Sequence, residues 1–263
     1  MYKFSILFFL LLGFTLSQAQ TVTDAAGKKQ GYWKKKDEKT NKLIYEGLFK
    51  DNIPQGKFKY YSPNDSVKAI MVFKNDGKVA YSIMYHPTGK KMAIGKYIGE
   101  DKDSLWTYFD EKGILISTEN FTSGKKNGKT TVYLPDGMIS EERYYKMGLQ
   151  NGQFKQYFDK THVKGEGTYV NDKLEGKNAY YFPNGVEAAV GYYKNGQKNG
   201  PWIYKESNGK IKEKELYKNG QLADKKETEA FFTKNKPLET PVKADEKKST
   251  TSPKSTTKKT TVK

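Results

Sequence analysis

Apolar and polar residues alternate along most of this chain with the period of a β-strand, as in Gln153-Phe154-Lys155-Gln156-Tyr157-Phe158 and Leu105-Trp106-Thr107-Tyr108-Phe109-Asp110. In the second segment Trp106 and Tyr108 share one face and Phe109 lies on the other. The pattern then repeats on a longer scale. Phe49, Phe73, Tyr97, Phe121, Tyr145, Tyr169, Tyr193 and Tyr217 stand 24 positions apart without a slip. A second column, Tyr61, Tyr85, Phe109, Tyr133, Tyr157 and Tyr181, follows half a repeat later. Such repetition means that each unit buries its apolar surface against its neighbours rather than in one central core.

Turn signals separate the strands. Gly124 and Gly128, Gly148 and Gly152, and Gly196 and Gly200 form pairs four apart, with Asn52 and Asp172 standing for the first glycine before Gly56 and Gly176. These residue types accept positive φ, so each pair predicts a tight turn. Leu134-Pro135-Asp136-Gly137 and Phe182-Pro183-Asn184-Gly185 predict a second turn half a repeat on. The expected fold is all-β: an elongated, single-layer antiparallel β-meander of 24-residue hairpin repeats over residues 27–224. The register slips in two places. Gly31 to Gly56 spans 25 residues, which puts one extra residue in the loop between Lys34 and Asn41. Ala80 and Ser82 occupy the positions of a turn glycine and a strand aromatic, predicting a distorted third unit.

Aromatic rings on both faces of a thin sheet need cover. Cross-strand stacking in ladders accounts for the Tyr columns. The tryptophans and their strand neighbours, Trp33, Trp106, Trp202, Tyr108 and Tyr204, form the candidate interaction surface.

The two ends differ from the array. Lys3, the apolar run Ile6 to Leu16 and the small residues of Ser17-Gln18-Ala19 read as a cleaved secretory signal over residues 1–19. The run is shorter than the roughly 20 residues that span a bilayer, so no transmembrane span is expected in the mature chain. Residues 225–263 are rich in Lys, Thr, Ser and Pro, a composition expected to stay disordered, although Glu227 to Thr233 could form a helical turn or two with Phe231 and Phe232 over the last strand.

Charge and composition narrow the chemistry. The chain carries 47 Lys and Arg against 30 Asp and Glu. Export turns that excess away from nucleic acid and toward a protein or an anionic envelope component. With no Cys, disulfides, a lipidated thiol and a thiol nucleophile are all excluded. Gly124 to Thr130 is one residue short of a phosphate-binding loop and falls in a hairpin turn, and Gly165-Glu166-Gly167 is too little for a dinucleotide site. His86 and His162 lie in different repeats without clustered carboxylates, and Glu141, Glu142 and Glu166 are not set apart from other surface acids. No catalytic residue, metal or cofactor is expected.

The units Gly124-x-x-x-Gly128 through Tyr133-x-Pro-Asp-Gly137, and Gly196-x-x-x-Gly200-Pro-Trp202-x-Tyr204, resemble the MORN repeat, in the variant form of bacterial proteins labelled YwqK-type antitoxins. The likeness runs over roughly residues 27–224. It implies a sheet of β-hairpins used for protein or lipid contact. Together with the signal segment it leads to an expected function as a non-enzymatic exported scaffold, periplasmic, envelope-associated or secreted, that binds a protein or the envelope. Two alternatives stay open: a glycan or cell-wall binding module, and antitoxin-like binding of a partner protein.

Overall fold

The computed structural model describes residues 22–235. The expected signal segment, and the tail beyond Asn235, lie outside them. Eighteen strands and one helix follow one another. The first six strands are β1 (Val22–Thr23), β2 (Lys29–Lys36), β3 (Leu43–Lys50), β4 (Ile53–Tyr61), β5 (Val67–Lys74) and β6 (Val79–Tyr85). The next six are β7 (Lys91–Ile98), β8 (Asp101–Phe109), β9 (Leu115–Thr122), β10 (Lys125–Tyr133), β11 (Ile139–Lys146) and β12 (Leu149–Tyr157). The last are β13 (Val163–Val170), β14 (Lys173–Tyr181), β15 (Glu187–Lys194), β16 (Gln197–Lys205), β17 (Ile211–Lys218) and β18 (Gln221–Leu222), followed by α1 (Lys225–Lys234).

Each strand pairs antiparallel with the next in sequence, which makes one open 18-stranded meander. At a strand spacing of about 4.8 Å, the stack runs roughly 80 Å before twist.

Two kinds of turn alternate, as the sequence predicts. The first is a two-residue turn with both φ positive, as in Ser123-Gly124 (47° and 74°) and Asn195-Gly196 (52° and 82°). This is the type I′ geometry that matches the twist of a hairpin. The second is a longer loop closed by a positive-φ residue, where Gly137 N–H donates to the Leu134 carbonyl and Gly185 N–H to the Phe182 carbonyl, each at 2.9 Å. The two-residue turns also donate to the start of a strand in the preceding hairpin along the stack. Gly124 N–H donates to the Lys102 carbonyl, Gly148 N–H to that of Lys126, and Gly196 N–H to that of Leu174. Neighbouring repeats are thus tied at their turns as well as through their strands.

The third unit departs from the others as its sequence foretells. In the regular hairpins a positive-φ residue inside the second strand, such as Gly56, Gly128 or Ser104, accompanies a register shift. Ala80 carries a Cβ and does not take that conformation, and the β5–β6 ladder runs without a shift. The extra length moves into the turn, where Asn75, Asp76 and Gly77 all have positive φ and β6 shrinks to seven residues. Likewise the β2–β3 connection, residues 37–42, is one longer than its counterpart at 62–66.

The region expected to be disordered from Lys225 needs a correction. Asp224 caps a ten-residue helix by accepting from Glu227 N–H at 2.8 Å, and Lys234 sits in its last turn. The helix is tied to the sheet by Glu227, which pairs with Lys218, and by Phe232, whose ring holds the Lys214 ammonium at 5.2 Å. An apolar pair of rings and a cap suffice to order these ten residues where the composition of the whole tail pointed the other way.

Candidate functional site

The two sheet faces have opposite characters. On the first face, one row of partners crosses the strands in register: Phe58, Met71, Ser82, Gly95, Trp106, Glu119, Thr130, Arg143, Phe154, Gly167, Asn178, Gly191, Trp202 and Glu215. Large rings stand at Phe58, Trp106, Phe154 and Trp202, and between them, on the alternate repeats, stand the small polar residues Ser82, Thr130 and Asn178. The true period of the packing is therefore 48 residues, two units of the sequence repeat.

Glycine explains why a thin sheet can bury these rings. Trp106 lies flat on Gly95, and Trp202 on Gly191: a Cβ on either glycine would stand 2.2 Å from the indole Cδ2. Phe58 covers Gly47 in the same way. Each indole N–H then donates to the carbonyl next to its glycine, that of Lys96 for Trp106 and of Tyr192 for Trp202, both at 3.1 Å. Neighbouring rings close the sides. Tyr97 meets Trp106 edge-on at 4.9 Å and Tyr108 stacks at 6.1 Å, with Tyr193 and Tyr204 doing the same for Trp202 at 5.1 and 6.0 Å. Trp106 and Trp202 end 0% and 1% exposed. Burying such side chains contributes about 1.5–3 kcal/mol each.

A lysine lids each cluster. Lys102 Nζ stands 4.6 Å from the Trp106 ring centre and donates to Tyr108 Oη at 2.8 Å. Lys198 Nζ stands 4.5 Å from Trp202 and donates to Tyr204 Oη at 2.5 Å. Lys29 Nζ lies between Trp33 and Phe49, at 5.1 and 4.8 Å, and reaches Tyr45 Oη at 3.1 Å. Burial pulls the Lys102 ammonium below its ordinary pKa, and burial pushes the Tyr108 and Tyr204 hydroxyls well above theirs.

These contacts correct the expected interaction surface. Trp33, Trp106, Trp202, Tyr108 and Tyr204 are indeed brought together with one another's repeats on one face, but as packing. Trp106 and Trp202 are closed to any partner, and all five rings are in clusters already filled by the chain's own ammonium groups. The residues that set this, a glycine 11 positions before Trp106 and Trp202 and a lysine four before each of the three tryptophans, stand in the sequence, but only the strand pairing shows that they meet.

The second face carries the row Lys34, Glu46, Lys59, Ile70, Ile83, Ile94, Thr107, Thr118, Thr131, Glu142, Lys155, Glu166, Ala179, Val190, Ile203 and Lys214. From Lys34 to Glu166 the charges in this row are paired within the sheet, while Lys214 lies over the Phe232 ring of α1. Glu46 takes the Tyr61 hydroxyl at 2.6 Å and Lys59 at 3.5 Å, and the Tyr61 hydrogen bond holds its carboxyl below the usual range. Glu166 takes Tyr181 at 2.8 Å and Lys155 at 3.2 Å, and Glu142 pairs with Lys129 and Tyr157. Glu141 is held by Arg143 at 2.6 Å and by Gln156. His162 is bound to Asp159 in its turn, and His86 Nε2 to the Phe109 carbonyl, so both histidines serve turns.

Across β5 to β8 the same face turns apolar. Ile70, Ile83 and Ile94 form a half-buried floor, while Tyr81 and Leu105 stand beside it 50% and 53% exposed. With Val72 they line a groove of about 580 Å³. Sequence reasoning missed these residues. The signal available was the third unit's own departure, where Ala80-Tyr81-Ser82-Ile83-Met84 replaces the glycines and charges of the other hairpins.

Comparison with known proteins agrees with this architecture. A family model described as MORN repeat variant matches residues 54–75 and 198–219, two windows in the same phase of the 24-residue period. At these two sites the chain is similar to MORN repeat variants. No curated protein matches the chain. Among solved structures, a mutant of S. aureus TarM in complex with fondaparinux, α-GlcNAc-glycerol and UDP is similar at 14% identity and a TM-score of 0.28, over 41% of this chain and 21% of that one. The match spans about a fifth of the TarM chain, and a score so low carries no argument. Among the described residues, no helix is long and apolar enough to cross a membrane.

Proposed function

We propose that the protein is a non-enzymatic scaffold, exported by its N-terminal segment, that binds a partner protein through the second face of its sheet. The observation that carries this reading is the apolar field over β5 to β8, set between the paired charges of Glu46 and Lys59 on one side and of Glu142, Lys155 and Glu166 on the other. Tyr81 and Leu105 are as exposed as they are large, and a contiguous exposed apolar patch marks an interaction surface. MORN-variant repeats at two sites are compatible with a binding module. The glycan-binding alternative loses its support, because the rings that would grip a sugar are packed against glycine and lysine of the chain itself. Antitoxin-like occlusion of a partner would use the same field, but export takes the chain away from a cytoplasmic target.

The test has two parts. Fractionation of the native host, with and without residues 1–19, should find the full protein outside the cytoplasm and the shortened one within it. Pull-down from envelope extract should then retain a partner on the wild type and lose it on Tyr81→Lys. Equal retention by both would remove the second face from the reading, and cytoplasmic residence of the full protein would remove export.

A further inference from the structure

The charges around the apolar field bear on what fills it. Lys57, Lys68 and Lys74 are exposed on the same face, and none carries an ion pair among the described residues. Lys57 pairs in register with Val72, Lys68 stands two residues before Ile70, and Lys74 Nζ reaches 5.6 Å from the Tyr81 ring. The nearby acid, Asp103, is bound to Lys96 at 2.9 Å, a contact that holds its carboxyl below the usual range. An apolar floor thus has three unneutralised cations at its edge, while the exposed acids Asp76 and Asp101 stand at the turns at one end of it.

Three occupants are disfavoured on this pattern. The chain's own residues 236–263 hold eight lysines against three acids and would meet the rim with like charge. A second copy laid face to face would bring the same lysines together. A bilayer is met by protruding apolar groups, whereas here Ile70, Ile83 and Ile94 are recessed below Tyr81 and Leu105. A recessed floor between walls takes a ridge of side chains. From β5 to the Leu105 wall on β8 the groove spans three strand spacings, about 14 Å. That is the rise of roughly nine residues of α-helix.

Resting on the scaffold reading above, we propose that the groove over β5 to β8 receives an acidic amphipathic helix of a partner protein, its apolar ridge on Ile70, Ile83 and Ile94 and its carboxylates against Lys57, Lys68 and Lys74. Helices that dock in this way present apolar residues at i, i+3, i+4 and i+7.

The probe is a fluorescent helical peptide with leucines at those positions and glutamates on both flanks. It is compared with the same peptide carrying lysine flanks and with phosphatidylcholine–phosphatidylglycerol vesicles, all against the full chain. The glutamate peptide should bind, weakening as salt rises, and the lysine peptide should bind at least about tenfold more weakly, a difference of about 1.4 kcal/mol. Tyr81→Lys and Leu105→Lys alter exposed walls and should each lower affinity by about tenfold or more. Their melting temperatures should stay near that of the wild type, and Ile203→Lys, far along the same face, should bind as the wild type does. Equal binding of the two peptides, or indifference to the wall variants, overturns the proposal, as does binding of vesicles without the peptide. If the glutamate peptide fails while Tyr81→Lys still loses the envelope partner, the helix is wrong and the scaffold reading stands. If both fail, both fall.

Discussion

Gly95 and Trp106 occupy the same space in turn: a Cβ on the glycine would stand 2.2 Å from the indole Cδ2. Ordinary φ at Gly95 means that the need is steric and not conformational, unlike Gly56, whose φ is +64° with open space around it. Gly95→Ala is therefore expected to destabilise by about 1–3 kcal/mol or more through overpacking. Urea titration of Gly95→Ala, Trp106→Ala and the double variant should show a coupling of about 0.5–3 kcal/mol, since the alanine methyl has room once the indole is gone. Simple additivity would mean that the ring does not rest on the glycine.

The paired structure of the array makes damage local. Trp202→Ala should cost about 3–5 kcal/mol. The loss of amide protection should concentrate in β15 to β17, with β4 to β6 nearly unchanged. Hydrogen exchange that rises evenly from β2 to β17 would show instead that the sheet opens as one unit.

Thr130 is 5% exposed and its Oγ1 has no hydrogen-bond partner among the described residues. An unpaired buried hydroxyl costs about 1–3 kcal/mol. Thr130→Val keeps the branched shape, so it should raise the urea midpoint, by about 1 kcal/mol in stability. A loss of stability would place a hydrogen bond at that oxygen.

Stability should hold across neutral pH and fall at both ends. Burial, then the Glu46 carboxylate, pushes the Tyr61 hydroxyl up to about 12, and burial with Glu166 does the same for Tyr181. The unfolded chain ionises its tyrosines near pH 10 and the folded chain does not, so folded protein holds more protons there. Stability should decline from about pH 10 toward 12. Tyr61→Phe should make that decline shallower. At the other end Glu46 and Asp103 are held below their ordinary pKa by the Tyr61 hydroxyl and by Lys96, so their contribution is present above about pH 4 and lost as pH falls. Denaturation midpoints across pH give both limbs, and a maximum above pH 10 would contradict the tyrosine assignment.

The strands, both turn types and the odd third unit could all be read from the chain, because each depends on residues close in sequence: Asn-Gly or Pro-Asp-Gly in a turn, or Ala80 where a positive φ is needed. The site could not. Trp106 and Tyr108 look like surface rings when their strand is read as a plain alternation, and what buries them is the missing side chain of Gly95, across a turn, and the ammonium of Lys102, which the positive φ of Ser104 within the same strand brings to their face. The apolar field is similar: Ile70, Ile83 and Ile94 come from three strands, and only register places them in one row. The helix at Lys225–Lys234 was half legible, since Glu227 to Thr233 with Phe231-Phe232 signalled a turn or two of it against a tail whose composition argued for disorder.

The alternation of large and small along the first face has a consequence for how such a chain can lengthen. An indole is wider than the strand spacing of about 4.8 Å, so Trp106 needs Gly95 beside it and leaves no place for a second large ring at Ser82. Gaining or losing one 24-residue unit in the interior would set two bulky rows, or two small ones, side by side. Two units together preserve the match. Only at the first strand, where no full strand lies beyond, can Trp33 stand one unit before Phe58. Duplication in this molecule has a grain: it tolerates growth by pairs of hairpins and resists growth by one.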